Sequence, residues 1–447
     1  MSKTPICDFV KKYAESNITR LHMPGHKGSG FLGIEKYDIT EVDGADVLYH
    51  SEGIIRESEN IAAKLFGSAR TVYSCEGSSL SIRAMLYLAL LHGKNTGKKP
   101  LILAARNAHK VFMTASALLD FEIEWMLPTT SSCIVSCVIS PTELDNKLSE
   151  MAEKPTAVYV TSPDYLGFMS DIRGLSEVCK KHGVLLLVDN AHGAYLAFAE
   201  KNMHPLASGA DMCCDSAHKT LPVLTGGSYL HISKNAPQFL CEKAENAMSI
   251  FASTSPSYII MQSLDNANKY ISDGYDKKLA EYVIHLNNLK EKLTRHGFVL
   301  LGNEPLKLTI DAKAYGYKGT EISDILARNG FICEFSDPDF VTMMLTPENG
   351  IEMLGKLEET LVSIPEKEAL NEKAPDILLG KSAMSPREAM FAVTERIAAT
   401  ESVGRILAQM NVSCPPAIPI VVCGEIITEE AVKLFKYYGT EYVDVVK

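Results

Sequence analysis

The chain has no long hydrophobic run. Its longest apolar stretches, such as residues 84–91, fall far short of the roughly 20 residues that span a bilayer, so no membrane partner is expected. The first twenty residues, MSKTPICDFVKKYAESNITR, lack the apolar core of a secretory signal, and none is expected. Basic residues are in the minority: 44 Lys and Arg against 55 Asp and Glu leave a net charge of −11 with no basic patch. That argues against nucleic acid as a partner. The eleven cysteines are scattered and odd in number, with no C-x-x-C pair, so neither a zinc ribbon nor a disulfide framework is indicated. Free thiols fit a reducing cytosol, and a cytoplasmic location is expected. Internal repeats and low-complexity tracts are also missing. What is left is an ordinary enzyme composition, 46% hydrophobic and 22% charged, in 447 residues, enough for two or three domains.

Against this plain background one stretch stands out: Asp211-Met-Cys-Cys-Asp-Ser-Ala-His-Lys219-Thr, followed by Gly226-Gly227 and the apolar run Tyr229-Leu-His-Ile. It places a lysine between two short strand-like segments. A lysine on a surface loop is the plain alternative, since lysines are almost never fully buried without a partner. Upstream, residues 184–188 read as a buried parallel strand, with Asp189 at its carboxyl end, where open α/β sheets place their ligands. A carboxylate at one strand end and a lysine after the next strand is the pair that pyridoxal phosphate (PLP) needs. The lysine binds the aldehyde, and the carboxylate keeps the ring nitrogen protonated.

Other segments fit around that pair. Thr71-Val-Tyr-Ser-Cys-Glu-Gly77-Ser78-Ser79 reads as a strand, a glycine turn and a helix start, and a helix N-terminus is a ready phosphate seat. Arg106-Asn-Ala-His109 follows another strand, and His109 is either a ring-stacking residue or a satisfied loop histidine. His22 and His26 have no third ligand at metal spacing, so no metal is expected. Ser140-Pro-Thr-Glu143 carries the marks of a capped helix start. Strands and helices alternate through residue 230, which predicts a mainly parallel sheet with right-handed crossovers. Helical periodicity over residues 260–295 predicts a helical connector region. Residues 306–310 and 331–345 look strand-like, and residues 365–386 read as an exposed linker.

These motifs together resemble the bacterial ornithine/lysine/arginine decarboxylases of PLP fold type I, in the short form without an N-terminal wing domain. The resemblance runs from His22-Met-Pro-Gly-His-Lys27 to Gly424-Glu425. It is carried by Ser216-Ala-His218-Lys219-Thr-Leu against S-x-H-K-x-L, Asp189-Asn-Ala-His192-Gly-Ala against D-E-A-H-G-A, and Arg106-Asn-Ala-His109-Lys110 against R-N-x-H-K. Ser253-Thr-Ser-Pro256 and Met384-Ser-Pro-Arg387 also fit. It implies an α/β fold, with a large mainly parallel sheet domain and a smaller α+β C-terminal part. The expected boundaries are 1–258 for the PLP-binding domain with its N-terminal arm, 259–295 for the connector, 296–365 for the small domain and 366–447 for the C-terminal segment.

The resemblance further implies Lys219 as the Schiff-base lysine, Asp189 at the pyridine nitrogen, His109 on the ring face and His192 near the ring hydroxyl. Ser78, Ser79, Ser216 and His218 would hold the phosphate, with Ser253 and Thr254 reaching a neighbour's phosphate in a homodimer or larger assembly with shared sites. Glu334, at the family's G-I-x-x-E position, with Asp337 close behind, is the candidate partner for a cationic side chain; a surface salt bridge is the alternative. The implied reaction is decarboxylation of arginine, lysine or ornithine, a step in polyamine metabolism. Another fold type I reaction, such as aminotransfer or a lyase step, and a PLP-binding protein without turnover stay open. Glu76 stands where the family has Asn, Asn190 where it has Glu, Gly226 where Gln is common, and Cys414-Pro-Pro-Ala417 departs from Y-P-P-G. These departures bear on which amino acid is accepted.

Overall fold

A computed structural model describes residues 3–127, 136–413 and 419–447. Cys414 and Ala417 lie outside the described residues. The chain folds as two compact units, Met1–Gly97 with Cys179–Lys278, and Lys98–Val178 with Leu279–Lys447. Among the described residues no helix is long and apolar enough to cross a membrane.

The large sheet has seven strands: β1 (Arg70–Ser74), β2 (Leu101–Ala105), β3 (Glu122–Met126), β4 (Ala157–Thr161), β5 (Leu185–Asp189), β6 (Met212–Asp215) and β7 (Ser228–Ile232). Their order is β1-β7-β6-β5-β4-β2-β3. β2 pairs in parallel with β3 and β4, and β5 with β6. β1, β5, β6 and β7 are buried along their whole length, and β2 and β4 at all but one residue. The expected mainly parallel sheet is therefore present, with one exception. β7 runs antiparallel to both β1 and β6; residues 216–227 between β6 and β7 hold only the four-residue helix Ala217–Thr220, not the long crossover helix that usually makes a parallel return.

In the first unit, Arg70 at the start of β1 bonds Glu59 at 2.6 Å and Glu245 at 3.1 Å, tying the strand to helices Ile54–Phe66 and Gln238–Ser249. The helical stretch expected over residues 260–295 is in two pieces. Helix Tyr258–Tyr270 is followed by an irregular turn over Ile271–Tyr275, and a second helix runs Asp276–Arg295. Gly274, at φ +105°, breaks the register in a backbone region that glycine enters without steric cost.

In the second unit, a four-stranded antiparallel sheet is ordered β10-β11-β9-β8, from β8 (Val299–Leu301), β9 (Lys307–Asp311), β10 (Phe335–Ser336) and β11 (Phe340–Met344). Residues 331–334, expected to be strand, lie outside it. The capped helix start at Ser140 is observed, with Ser140 and Glu143 in a reciprocal capping box. Residues 365–380 carry no helix or strand and are mostly exposed, as expected of a linker.

Arg106 and Glu425 turn out to be one structural device. Both side chains are buried; the guanidinium bonds the two Glu425 oxygens at 2.8 and 2.7 Å and Pro419 O at 3.2 Å. It also lies 4.8 Å from the Trp125 ring. Removing one partner leaves a buried charge uncompensated, at about 3–5 kcal/mol. Glu425→Ala is therefore expected to lower the urea midpoint by that stability loss; a loss below about 1 kcal/mol, the size of an exposed pair, contradicts the assignment.

Candidate active site

Asp189 is the last residue of β5 and is buried, 2% exposed. Its Oδ1 accepts the Ala191 backbone N–H at 3.2 Å and faces the Cys214 thiol at 3.5 Å. Burial, then the nearby Asp189, raises the Cys214 pKa well above the usual thiol range, so this thiol is a donor to the carboxylate. Three residues on, the buried imidazole of His192 meets the lysine: Lys219 Nζ lies 2.8 Å from His192 Nε2. A protonated Lys219 donates there, so His192 is placed to take the proton that a nucleophilic amine must lose.

Lys219 sits half-buried in the short turn of helix Ala217–Thr220, directly after β6. The turn is closed by Lys219 N–H to Ser216 O at 3.0 Å. His218 is fixed by its own side chain, Nδ1 donating to Gly227 O at 2.9 Å. Ser216 Oγ lies 2.8 Å from Ser78 Oγ, which brings the lysine turn to the start of the 18-residue helix Ser78–Asn95. No side chain caps that helix; Gly77 precedes it at φ +71°. Its first-turn N–H groups have no intrahelical acceptor and carry the positive end of the helix dipole. Two hydroxyls and an uncapped N-terminus make an anion seat.

Two departures from the family pattern find physical reasons here. Gly226, at φ +99°, accepts the Gly77 N–H on its carbonyl oxygen at 2.7 Å, and a Cβ at Gly226 would come within 2.7 Å of Cys75 O. The backbones meet too closely for any side chain. Glu76 turns its exposed carboxylate to the Ser253 backbone N–H at 2.8 Å. It thus holds the segment Ser253-Thr254-Ser255-Pro256, whose first two residues are exposed. Neither Ser253 nor Thr254 caps the helix after Pro256; Ser257 does.

In the second unit His109 is exposed and is the N-cap of helix Lys110–Leu119, its Nδ1 accepting Val111 N–H at 3.3 Å. Glu334 is exposed, accepts Tyr165 O–H at 2.8 Å, and lines a cavity of about 470 Å³ with Cys333, Met343 and Met353. Asp337, by contrast, is a turn-holding residue: buried, its Oδ1 accepts Asp339 and Phe340 N–H at 2.7 and 2.6 Å, and burial pushes its pKa up to about 7.

A further cluster was not legible as a site. Asp215, the residue before Ser216, is fully buried with His204 and His231. Its Oδ2 lies 2.9 Å from His204 Nε2 and 3.4 Å from His231 Nε2, and its Oδ1 accepts Asn190 Nδ2–H at 2.8 Å. The residue types suit a metal. However, Leu206 N–H donates to His204 Nδ1 at 3.4 Å, which puts the ring proton on Nε2, where it donates to Asp215 instead of offering a lone pair. The available signal was the spacing of Cys213 and Asp215, which share one face of β6, with His231 opposite Cys213 on β7.

Comparison with known proteins bears on the class. Residues 4–304 match the family described as Orn/Lys/Arg decarboxylase, major domain, and residues 368–441 match its C-terminal domain. The chain is 29% identical to the arginine decarboxylase of Bacillus subtilis over 97% of its own length and 93% of the relative's. It is 28% identical to that of Halalkalibacterium halodurans over 96% and 91%. The solved lysine decarboxylase LdcF of Francisella novicida shares its fold, with a TM-score of 0.79 at 17% identity, covering 99% of this chain and 81% of that one. The fold class is thus PLP fold type I, with the large mainly parallel sheet and smaller α+β part expected. With a family match over most of its length, the chain belongs to the ornithine/lysine/arginine decarboxylases and is an amino-acid decarboxylase.

Proposed function

We propose that the chain is a PLP-dependent decarboxylase of a basic amino acid, arginine, lysine or ornithine, giving the amine and CO2. The observation that carries this is the 2.8 Å approach of Lys219 Nζ to His192 Nε2 on a turn that also delivers Ser216 to the anion seat. The residues present fit the cofactor: a lysine for the aldehyde, a buried carboxylate at a strand end for the ring nitrogen, and an uncapped helix with two hydroxyls for the phosphate. Bound there, PLP supplies a sink for the electron pair left on Cα when CO2 departs.

The chain's own residues then have distinct tasks. Lys219 holds the aldehyde carbon, and His192 takes or returns the lysine proton. Asp189, kept in place by Ala191 N–H and the Cys214 thiol, holds a proton on the ring nitrogen. Ser78, Ser79, Ser216 and His218 would anchor the phosphate, and the role proposed for His109 is to cover the ring. The experiment that tests the reading is product analysis with each amino acid. Amine and CO2 in equal amounts support it; a keto acid indicates aminotransfer, and no product from any amino acid indicates a protein without turnover.

Glu334 is the proposed partner of the substrate's cationic end. Its carboxylate is oriented by Tyr165 and lies beside a cavity. Glu334→Gln is expected to raise KM about tenfold, roughly 1.4 kcal/mol, with kcat changed less. An unchanged KM removes Glu334 from the site.

Ser253 and Thr254 are proposed to reach the phosphate of a second subunit, with Glu76 holding their segment. Mixing Lys219→Ala with the Ser253→Ala/Thr254→Ala variant should restore activity, because a mixed dimer has one site free of both lesions. No recovery, with subunit exchange shown independently, means that each subunit works alone.

A further inference from the structure

A second set of buried polar groups begins next in the chain to the proposed PLP residues; of these, Asp215, His204 and His231 lie outside the family motifs. Asn190 is the chain neighbour of Asp189, and Asp215 is the chain neighbour of Ser216, four residues before Lys219. The bond from Asn190 Nδ2 to Asp215 Oδ1 at 2.8 Å joins the two strand ends that carry the candidate lysine and carboxylate. Gly193 leaves room for it: a Cβ there would come within 2.1 Å of Asn190 Oδ1.

Asp215 is held as an anion by the groups around it, with His204 Nε2 and Asn190 Nδ2 at 2.9 and 2.8 Å. Leu206 N–H on His204 Nδ1 sets that ring as a donor at Nε2. Thr71 Oγ1, 2.8 Å from His231 Nδ1, fixes the second ring. Burial alone would raise the Asp215 pKa, but His204 and His231 hold it well below the usual carboxylate range, while burial lowers that of His231. The other titratable groups facing Asp215 are the phenol of Tyr229 and the thiols of Cys213 and Cys214; burial raises the pKa of all three, leaving them uncharged at neutral pH. The aromatic ring of Phe66 packs on both histidines, at 5.6 and 4.5 Å, and keeps the layer dry. In such dry surroundings the charge of an ionised carboxylate is weakly screened and acts beyond its own hydrogen bonds.

We infer that Asp215 is a positioning residue of the PLP site: it ties the Asp189 strand end to the Lys219 turn and biases the site toward the protonated form of the lysine–cofactor linkage. This rests on the PLP reading above. It does not require any particular substrate.

The test uses the full-length protein loaded with PLP and reads the pH midpoint of the cofactor's visible band and the PLP dissociation constant, with no turnover involved. Asp215→Asn keeps the shape and an acceptor for Asn190 but removes the charge. It is expected to lower the midpoint by about half a unit or more, because a lost anion disfavours a nearby cation. Asp215→Ala also cuts the tie and should weaken PLP binding about tenfold, the effect of about one lost hydrogen bond to an anchoring group. If folded Asp215 variants cannot be obtained, Asn190→Ala, which cuts the tie from the other side, should weaken PLP binding by a similar factor.

A purely structural role would lower thermal stability and leave the midpoint where it was, and an unmoved midpoint in folded Asp215→Asn overturns the inference. So does unchanged PLP affinity in Asn190→Ala. A wild-type protein that binds no PLP overturns both this inference and the reading on which it rests.

Discussion

Lys219→Ala should lose at least about a thousandfold in kcat, a barrier increase of about 4 kcal/mol, and yet still bind PLP. The two outcomes separate because different groups carry them. The phosphate seat is made by Ser78, Ser216 and the uncapped start of helix Ser78–Asn95, none of which the substitution touches. The covalent hold and the amine beside His192 are lost entirely. The variant should therefore retain PLP weakly, and borohydride should leave nothing attached after denaturation. Activity within tenfold of wild type, or a trapped adduct in the variant, removes Lys219 from its role.

The second large effect is expected at Asp189. A buried carboxylate facing a ring cation is a charge-assisted pair, and removal of one partner costs about 3–5 kcal/mol. Asp189→Ala should keep the fold, because β5 is held along its length by the apolar core and by its parallel pairing with β6. The ring nitrogen then loses its proton, and turnover should fall by two to three orders of magnitude, about 3–4 kcal/mol. The visible band should change with it, since the band reports the ring's charge. Turnover within about tenfold of wild type, roughly 1.4 kcal/mol, contradicts the role.

Much of this arrangement could be read from the sequence because its signals are local. The apolar run ending at Asp189 is a strand one residue out of register with the reading, and the Ser140 capping box is where its residues put it. The lysine turn between two short strands is likewise local, since Ser216 to Thr220 form a single turn. What escaped depends on chain segments meeting in space. β7 has the same apolar texture as the parallel pair β5 and β6, and pattern alone does not give direction. The connector's helical periodicity continues through Gly274, so only the positive φ reveals the break. Glu76 reads in the sequence only as a departure from the family's Asn, because its partner, Ser253 N–H, is far away along the chain. The Asp215 cluster draws on a loop histidine, two strands and the Asp189 turn, and no spacing rule connects them. Arg106 and Glu425 were legible as motif residues, but their mutual salt bridge was not.

The central claim is that Lys219 is the residue to which PLP binds covalently. It is tested most directly by reducing the wild-type, PLP-loaded protein with borohydride and locating the modified lysine by peptide mass spectrometry. The account predicts a single phosphopyridoxyl group, on Lys219 in the peptide containing Ser216-Ala-His218. A label on Lys110 or any other lysine, with Lys219 unmodified, contradicts it.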